Sequence, residues 1–188
     1  MLLSALLVLA AAPTDAPPGA PQAPVWRIDA PLVLVAQAPT SGNETRVTPW
    51  LGVRVTRMLE APPEQLVVLG GDLAATLGYG PTEGTQRVNF ARMGAALDAR
   101  ALLAVNALHS ATTWLRPYGF GATHLGGELG ILSAYDDQRY RFLPVWGLSA
   151  GLGVELTVHV LSLRVDLGAG TRNGGFALES SFGVGAAF

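Results

Sequence analysis

The residues of this chain best suited to acid–base or nucleophile-activating chemistry are its three histidines, His109, His124 and His159. His109 directly precedes Ser110, and His124 shares one stretch with Glu128 and Ser133. A histidine with a serine and an acidic orienter is the minimum for acyl transfer through a serine nucleophile. Neither set has the wider spacing that serine hydrolase motifs carry, so His124 stands as the weak catalytic candidate and His159, in a predicted turn, is expected to be solvated. The chain has no Cys, which removes thiolate chemistry, and no metal-ligand spacing. Its glycine clusters, such as 147–155, do not open a helix after a strand, so no phosphate cradle is indicated. No metal or cofactor is expected.

A second set of polar residues is defined by parity. Arg27, Asp29, Arg54, Asp72, Asp98, Arg100, Glu155, Arg164, Asp166 and Glu179 all fall on the sparse, small-residue side of segments whose other side is apolar. In 161–169, Leu161, Leu163, Val165, Leu167 and Ala169 alternate with Ser162, Arg164, Asp166 and Gly168. A period of two is the signature of a strand. The pattern recurs in eight segments, 25–37, 47–58, 66–79, 87–107, 114–132, 145–157, 161–169 and 176–188. Between them lie predicted loops at 39–45, 80–85, 133–138 and 171–175 and tight turns at 61–64, 110–113 and 158–159. Two segments are ambiguous. Residues 93–105 have the propensities of a helix, but sort by parity as a strand. In 114–132 the parity changes between Tyr118, Phe120, Ala122 and Leu125, Leu129, Ile131, which predicts a bulge near Gly126 and Gly127.

Composition bounds the fold. The 188 residues suit a single domain, 49% are hydrophobic and only 14% charged, with mean hydropathy +0.35. No apolar run is long enough for a spanning helix. A strand-rich chain this apolar that enters a bilayer must close into a barrel, because only then is every backbone group paired. Net charge is −2, with no basic patch, so nucleic acid is not an expected partner. Residues 1–12 resemble a secretory signal peptide, and the prolines that follow suggest a tether. The expected organisation is a signal peptide and Pro-rich segment over 1–20 and a barrel over 21–188.

The last segment narrows the class. Read backwards from the terminus, Phe188, Ala186, Val184 and Phe182 form one face, and Ala187, Gly185, Gly183 and Ser181 the other. This resembles the terminal strand of Gram-negative outer-membrane β-barrels, whose final aromatic and alternating apolar residues are recognised by the barrel-assembly machinery. The resemblance implies an all-β, eight-stranded, antiparallel up-and-down transmembrane β-barrel of the OmpA/OmpX type. It also implies outer-membrane lipid as surroundings, the assembly machinery as a transient partner, and location in the cell outer membrane; a monomer is expected.

The polar side, rich in Gly, Ser, Ala and Thr, suits a narrow lumen. The charges on it are therefore expected to form an internal, self-neutralising network that plugs the barrel, with Arg164 paired to Glu155 or Glu179. Trp26, Trp50, Tyr79, Trp114, Tyr140, Trp146, Phe176 and Phe188 sit near strand ends and are expected in interfacial girdles, although Trp50 has inward parity. The function this favours is structural or surface-interacting, without a large pore. One alternative is a lipid A- or phospholipid-modifying enzyme on the same barrel. A second is a soluble lipocalin-like carrier with the apolar face inside.

Overall fold

The structure is a computed structural model describing residues 25–38, 46–59, 66–85, 88–110, 112–134 and 137–188. The expected signal peptide and tether, the loop at 39–45 and the turn at 61–64 lie outside the described residues. The strands are β1 (Trp26–Gln37), β2 (Arg46–Met58), β3 (Val67–Thr85), β4 (Val88–Val105), the two-residue β5 (Leu108–His109), β6 (Thr113–Ala134), β7 (Asp137–Val158), β8 (Leu161–Arg172) and β9 (Gly175–Ala187). Each long strand pairs antiparallel with its neighbours in sequence, β4 pairs directly with β6, and β1 pairs with β9. Eight long strands thus close into a barrel, which leaves no sheet edge along the shared height of the wall.

Alternation sorts the side chains as the period of two requires. Val165 and Leu167 are 50% and 65% exposed on the outside, while Arg164 and Asp166 between them are buried. The lipocalin-like alternative, which needs the opposite sorting, is thereby overturned. Residues 93–105 lie within β4 and not in a helix. They pair in continuous register with β3 from Tyr79↔Met93 to Val67↔Val105, and with β6 on the other side. Helix propensity is worth tenths of a kcal/mol per residue, and two hydrogen-bonded ladders outweigh it.

The predicted bulge in β6 is absent. Register runs unbroken from Val88↔Ala134 to Ala104↔Tyr118 against β4 and from Thr113↔Val158 to Ala134↔Asp137 against β7. Trp114, Arg116, Tyr118, Phe120, Ala122 and His124 therefore all face inward, and Leu125 and Leu129 outward. The lumen itself holds aromatic rings, so apolar character did not mark the outer face of this strand. Small residues make room for them. A Cβ on Gly78 or Gly94 would come within 2.5 Å or 2.7 Å of the Trp50 indole, and one on Gly153 would overlap the Tyr118 ring. Buried apolar layers fill the space between the charges, one around Met58, Val68, Leu102 and Phe120 and one around Val33, Val35, Trp50 and Ala177.

Two predicted loops are strand. β3 continues to Thr85 with β4 starting at Val88, and β6 reaches Ala134 with β7 starting at Asp137. β6 and β7 have 22 residues each, whereas β1 and β8 have 12. The wall formed by β3, β4, β6 and β7 is consequently much taller than the side formed by β1, β2, β8 and β9. The sequence pattern hid this because a strand rising beyond its neighbours has no need to alternate.

Prolines sit where the ladder tolerates them. The β1–β2 register skips Ala30 and Pro31, and Pro144 lies on the part of β7 above its pairing with β8, which begins at Gly147. At the β8–β9 turn, Asn173 and Gly174 have φ of 52° and 78°, the two positive values a two-residue type I′ hairpin needs.

Candidate functional site

The inward face of the strands gathers the lumen network. Among the described residues six arginines (Arg27, Arg54, Arg100, Arg116, Arg164, Arg172) and six carboxylates (Asp29, Asp72, Asp98, Glu155, Asp166, Glu179) are buried, so their formal charges cancel. All ten charged residues expected from parity are in this set. Arg116 and Arg172 were not expected. Arg116 shares its parity with Tyr118 and Phe120, which read as an apolar face, and Arg172 lies in the loop predicted at 171–175.

The network is layered. Nearest Trp26 and Phe188, Arg27 pairs with Glu155, Thr157 Oγ1 donates to Glu155 at 2.9 Å, and Arg116 Nε donates to Asn106 at 2.8 Å while its guanidinium stacks 5.1 Å from the Trp114 ring. The middle layer converges on Asp166. Its carboxylate accepts from Arg54 at 2.7 Å, Arg100 at 2.9 Å, Arg164 at 3.1 Å and Ser181 at 2.6 Å, and from the Tyr118 hydroxyl. Arg54 also donates to Asp29 at 2.9 Å, and Arg164 lies 2.9 Å from Asp72. Arg100 and Arg164 stack over Phe120 and Tyr118 at 4.8 Å and 4.6 Å.

The expected pairing of Arg164 with Glu155 or Glu179 is therefore wrong. Glu155 is its direct register partner across β7 and β8, but Glu155 pairs with Arg27 and Arg164 reaches across the lumen to Asp72 on β3. In a barrel this narrow, a long guanidinium side chain finds partners on opposite strands as easily as on adjacent ones.

The upper layer holds His124. Its Nδ1 is 2.7 Å from Asp98 Oδ1 and its Nε2 is 2.9 Å from Ser149 Oγ. The companions expected for His124 are not there: Glu128 pairs with Arg92 at 3.6 Å, and the side chain of Ser133 lies outside the described residues. Ser149, His124 and Asp98 do have the order of nucleophile, base and orienter. Two features of the surroundings oppose catalysis. Glu179 lies 3.3 Å from His124 Nε2 and 3.4 Å from Ser149 Oγ, so a carboxylate stands where an oxyanion would need donors. The adjoining cavity, lined by Trp50, Thr76, Arg172 and Glu179 among others, measures about 10 Å³, space for one water. Sequence reasoning missed Ser149, since its inward parity was visible but nothing in one strand shows which residue of another it will meet.

Of the expected girdle residues, Trp26, Tyr79, Tyr140, Trp146, Phe176 and Phe188 are exposed on the outside, whereas Trp50 and Trp114 are inside, Trp50 with Arg172 stacked 4.4 Å away. The terminal-strand residues Phe182, Val184, Ala186 and Phe188 all face outward. Among the described residues no group of His, Asp and Glu is arranged to hold a metal ion.

An apolar outer surface around a neutral, plugged interior in a closed eight-stranded antiparallel barrel defines the fold of the small outer-membrane β-barrels. Solved structures of that class are similar to this chain. Ail, the attachment invasion locus protein of Yersinia pestis, superposes with a TM-score of 0.56 at 12% identity, over 88% of this chain and 99% of Ail. Ail in complex with the heparin analogue sucrose octasulfate gives 0.54 at 10% identity over the same shares. Neisserial surface protein A gives 0.53 at 14% identity, over 87% of this chain and 97% of that one. No family model matches the sequence, and no curated protein matches it.

Proposed function

We propose that the chain is a monomeric outer-membrane barrel with a structural and surface-interacting role, inserted by the barrel-assembly machinery through the Phe182, Val184, Ala186 and Phe188 face of its last strand. The observation that carries this reading is the filled lumen: with six arginines and six carboxylates consuming one another's charge across the interior, solute passage has no route, and contact with partners falls to the rim. The tall wall supplies that rim. On β7 above Gly147, Arg139, Tyr140, Arg141 and Phe142 are exposed, the arginines on the mouth side and the aromatics outside. Ail has been crystallised with a polysulfated sugar, and the exposed Arg141 offers an anionic surface polymer a cation on the mouth side of this wall.

Reconstitution into planar bilayers tests the plug, with no lasting conductance steps expected; a steady ohmic pore would discard it. The rim is tested by binding of sucrose octasulfate to the folded protein, which Arg141→Gln should weaken without lowering stability. Equal binding by wild type and variant would refute anion contact at this rim.

A further inference from the structure

The upper layer of the lumen holds more negative charge than its arginine answers. Among the described buried residues, the lower layer sets Arg27 and Arg116 beside Glu155, and the middle layer sets Arg54, Arg100 and Arg164 against Asp29, Asp72 and Asp166. The upper layer has two carboxylates, Asp98 and Glu179, and one arginine, Arg172, around a single small cavity. Arg92 and Glu128, further toward the mouth, pair with each other and leave this count unchanged. Asp98 and Glu179 are each only 7% exposed, and a surplus carboxylate at that depth is costly unless a cation meets it. The side chain that touches both is His124, which is 2% exposed.

Hydrogen-bond geometry points to the same missing cation. His124 Nδ1 lies 2.7 Å from Asp98 Oδ1 and must carry a hydrogen, because two acceptors do not approach so closely. In a neutral ring Nε2 is then bare. It faces Ser149 Oγ at 2.9 Å and Glu179 Oε1 at 3.3 Å, and Ser149 Oγ lies 3.4 Å from Glu179 Oε2. The serine has one hydrogen for these contacts. Donated to Nε2, it leaves Glu179 facing only lone pairs; donated to Glu179, it leaves Nε2 in that position. With a hydrogen on Nε2 as well, the ring donates to Ser149 and Glu179, the serine donates to Glu179, and each contact has its donor. The cavity beside the ring is completed by Trp50 from β2, Thr76 from β3, Arg100 from β4 and Arg172 from β8. Of these, Arg100 donates to Asp166 at 2.9 Å and Thr76 to the Ala96 carbonyl at 3.4 Å.

We infer that the upper layer binds one proton beyond those of its neutral imidazole, and holds it on His124 Nε2, so that His124 is the second cation of this layer. The imidazolium acts as a latch. Asp98, His124 and Ser149 stand on β4, β6 and β7 in the tall wall, and Glu179 on β9 in the low side. The proton therefore completes a chain of hydrogen bonds that crosses the lumen from one side to the other. It also accounts for a triad order without triad chemistry, since a ring whose Nε2 already bears a hydrogen has no lone pair to take the one on Ser149. The inference depends on the layered network alone, and not on anion contact at the rim.

Nitrogen NMR of the full folded chain, isotope-labelled at histidine and held in lipid nanodiscs at neutral pH, tests it. The His124 signals are those lost in His124→Gln. In the wild type both ring nitrogens should show a bonded hydrogen. In Glu179→Gln, whose amide brings no charge and can itself donate to the ring, Nε2 should lose its hydrogen and shift to the position of a bare ring nitrogen while Nδ1 keeps its own. Ser149→Ala removes a hydroxyl and neither carboxylate, so both nitrogens should stay protonated. Folding of each variant is verified by heat-modifiable gel mobility. Where Glu179→Gln does not fold, Asp98→Asn replaces it, with one ring hydrogen expected instead of two. A bare Nε2 in the wild type overturns the inference, whether the proton is absent or sits on a carboxyl group. A doubly protonated ring in Glu179→Gln overturns it too, as does a bare Nε2 in Ser149→Ala.

Discussion

Replacing Asp166 by Asn is the most direct test of the plugged lumen, because five side chains donate to this one carboxylate. The three arginines are not equally affected by its loss. Arg54 keeps Asp29 at 2.9 Å, and Arg164 keeps Asp72 at 2.9 Å and the Thr56 hydroxyl at 3.2 Å. Arg100 is left with Asp72 at 3.8 Å, beyond hydrogen-bond distance. Asp166→Asn therefore strands one buried guanidinium and leaves the interior with a net positive charge, a change that typically costs about 3–5 kcal/mol. Arg100→Met removes one donor of several and keeps an apolar chain against Phe120, so it should cost less than about 3 kcal/mol. The double variant restores neutrality and should cost less than the sum of the two by at least about 1 kcal/mol. The assay is urea unfolding of the barrel refolded in lipid vesicles, followed by tryptophan fluorescence. An Asp166→Asn barrel within about 1 kcal/mol of wild type would refute the reasoning, and so would a double variant that simply adds the two costs.

Three further outcomes are expected. Leu167→Arg, at the middle of β8 on the outer face, should destabilise the barrel in lipid by about 2–4 kcal/mol, measured by the same unfolding assay; no effect would mean that this face does not meet hydrocarbon. Gly78→Ala forces a methyl group against the Trp50 ring and should cost about 1–3 kcal/mol, with a shift in tryptophan emission reporting the displaced ring. Deletion of Phe188 should abolish appearance of the barrel in the outer membrane of cells while leaving refolding of the purified chain in detergent intact. Loss in both settings would make Phe188 a stability residue and not an assembly signal.

The amino-acid pattern by itself determined the strands, their number and their sidedness, since a strand between lipid and a narrow lumen must alternate, and a reader can see alternation one segment at a time. It also marked ten of the twelve buried charges, for the same reason. Where alternation broke down, the sequence misled. β6 turns Trp114, Tyr118 and Phe120 inward, and only closure of the barrel, which places arginines over Tyr118 and Phe120 and glycines opposite the rings, explains why apolar rings are stable there. The heights of β3, β4, β6 and β7 were likewise hidden, because above its neighbours a strand faces no lipid and owes nothing to parity. Partner choice was the part only tertiary structure could decide. Arg164 and Asp72, and Arg27 and Glu155, come from strands far apart in the chain, and their meeting depends on stagger and diameter, while His124 meets Ser149 diagonally across the paired strands β6 and β7, a register that no single strand contains.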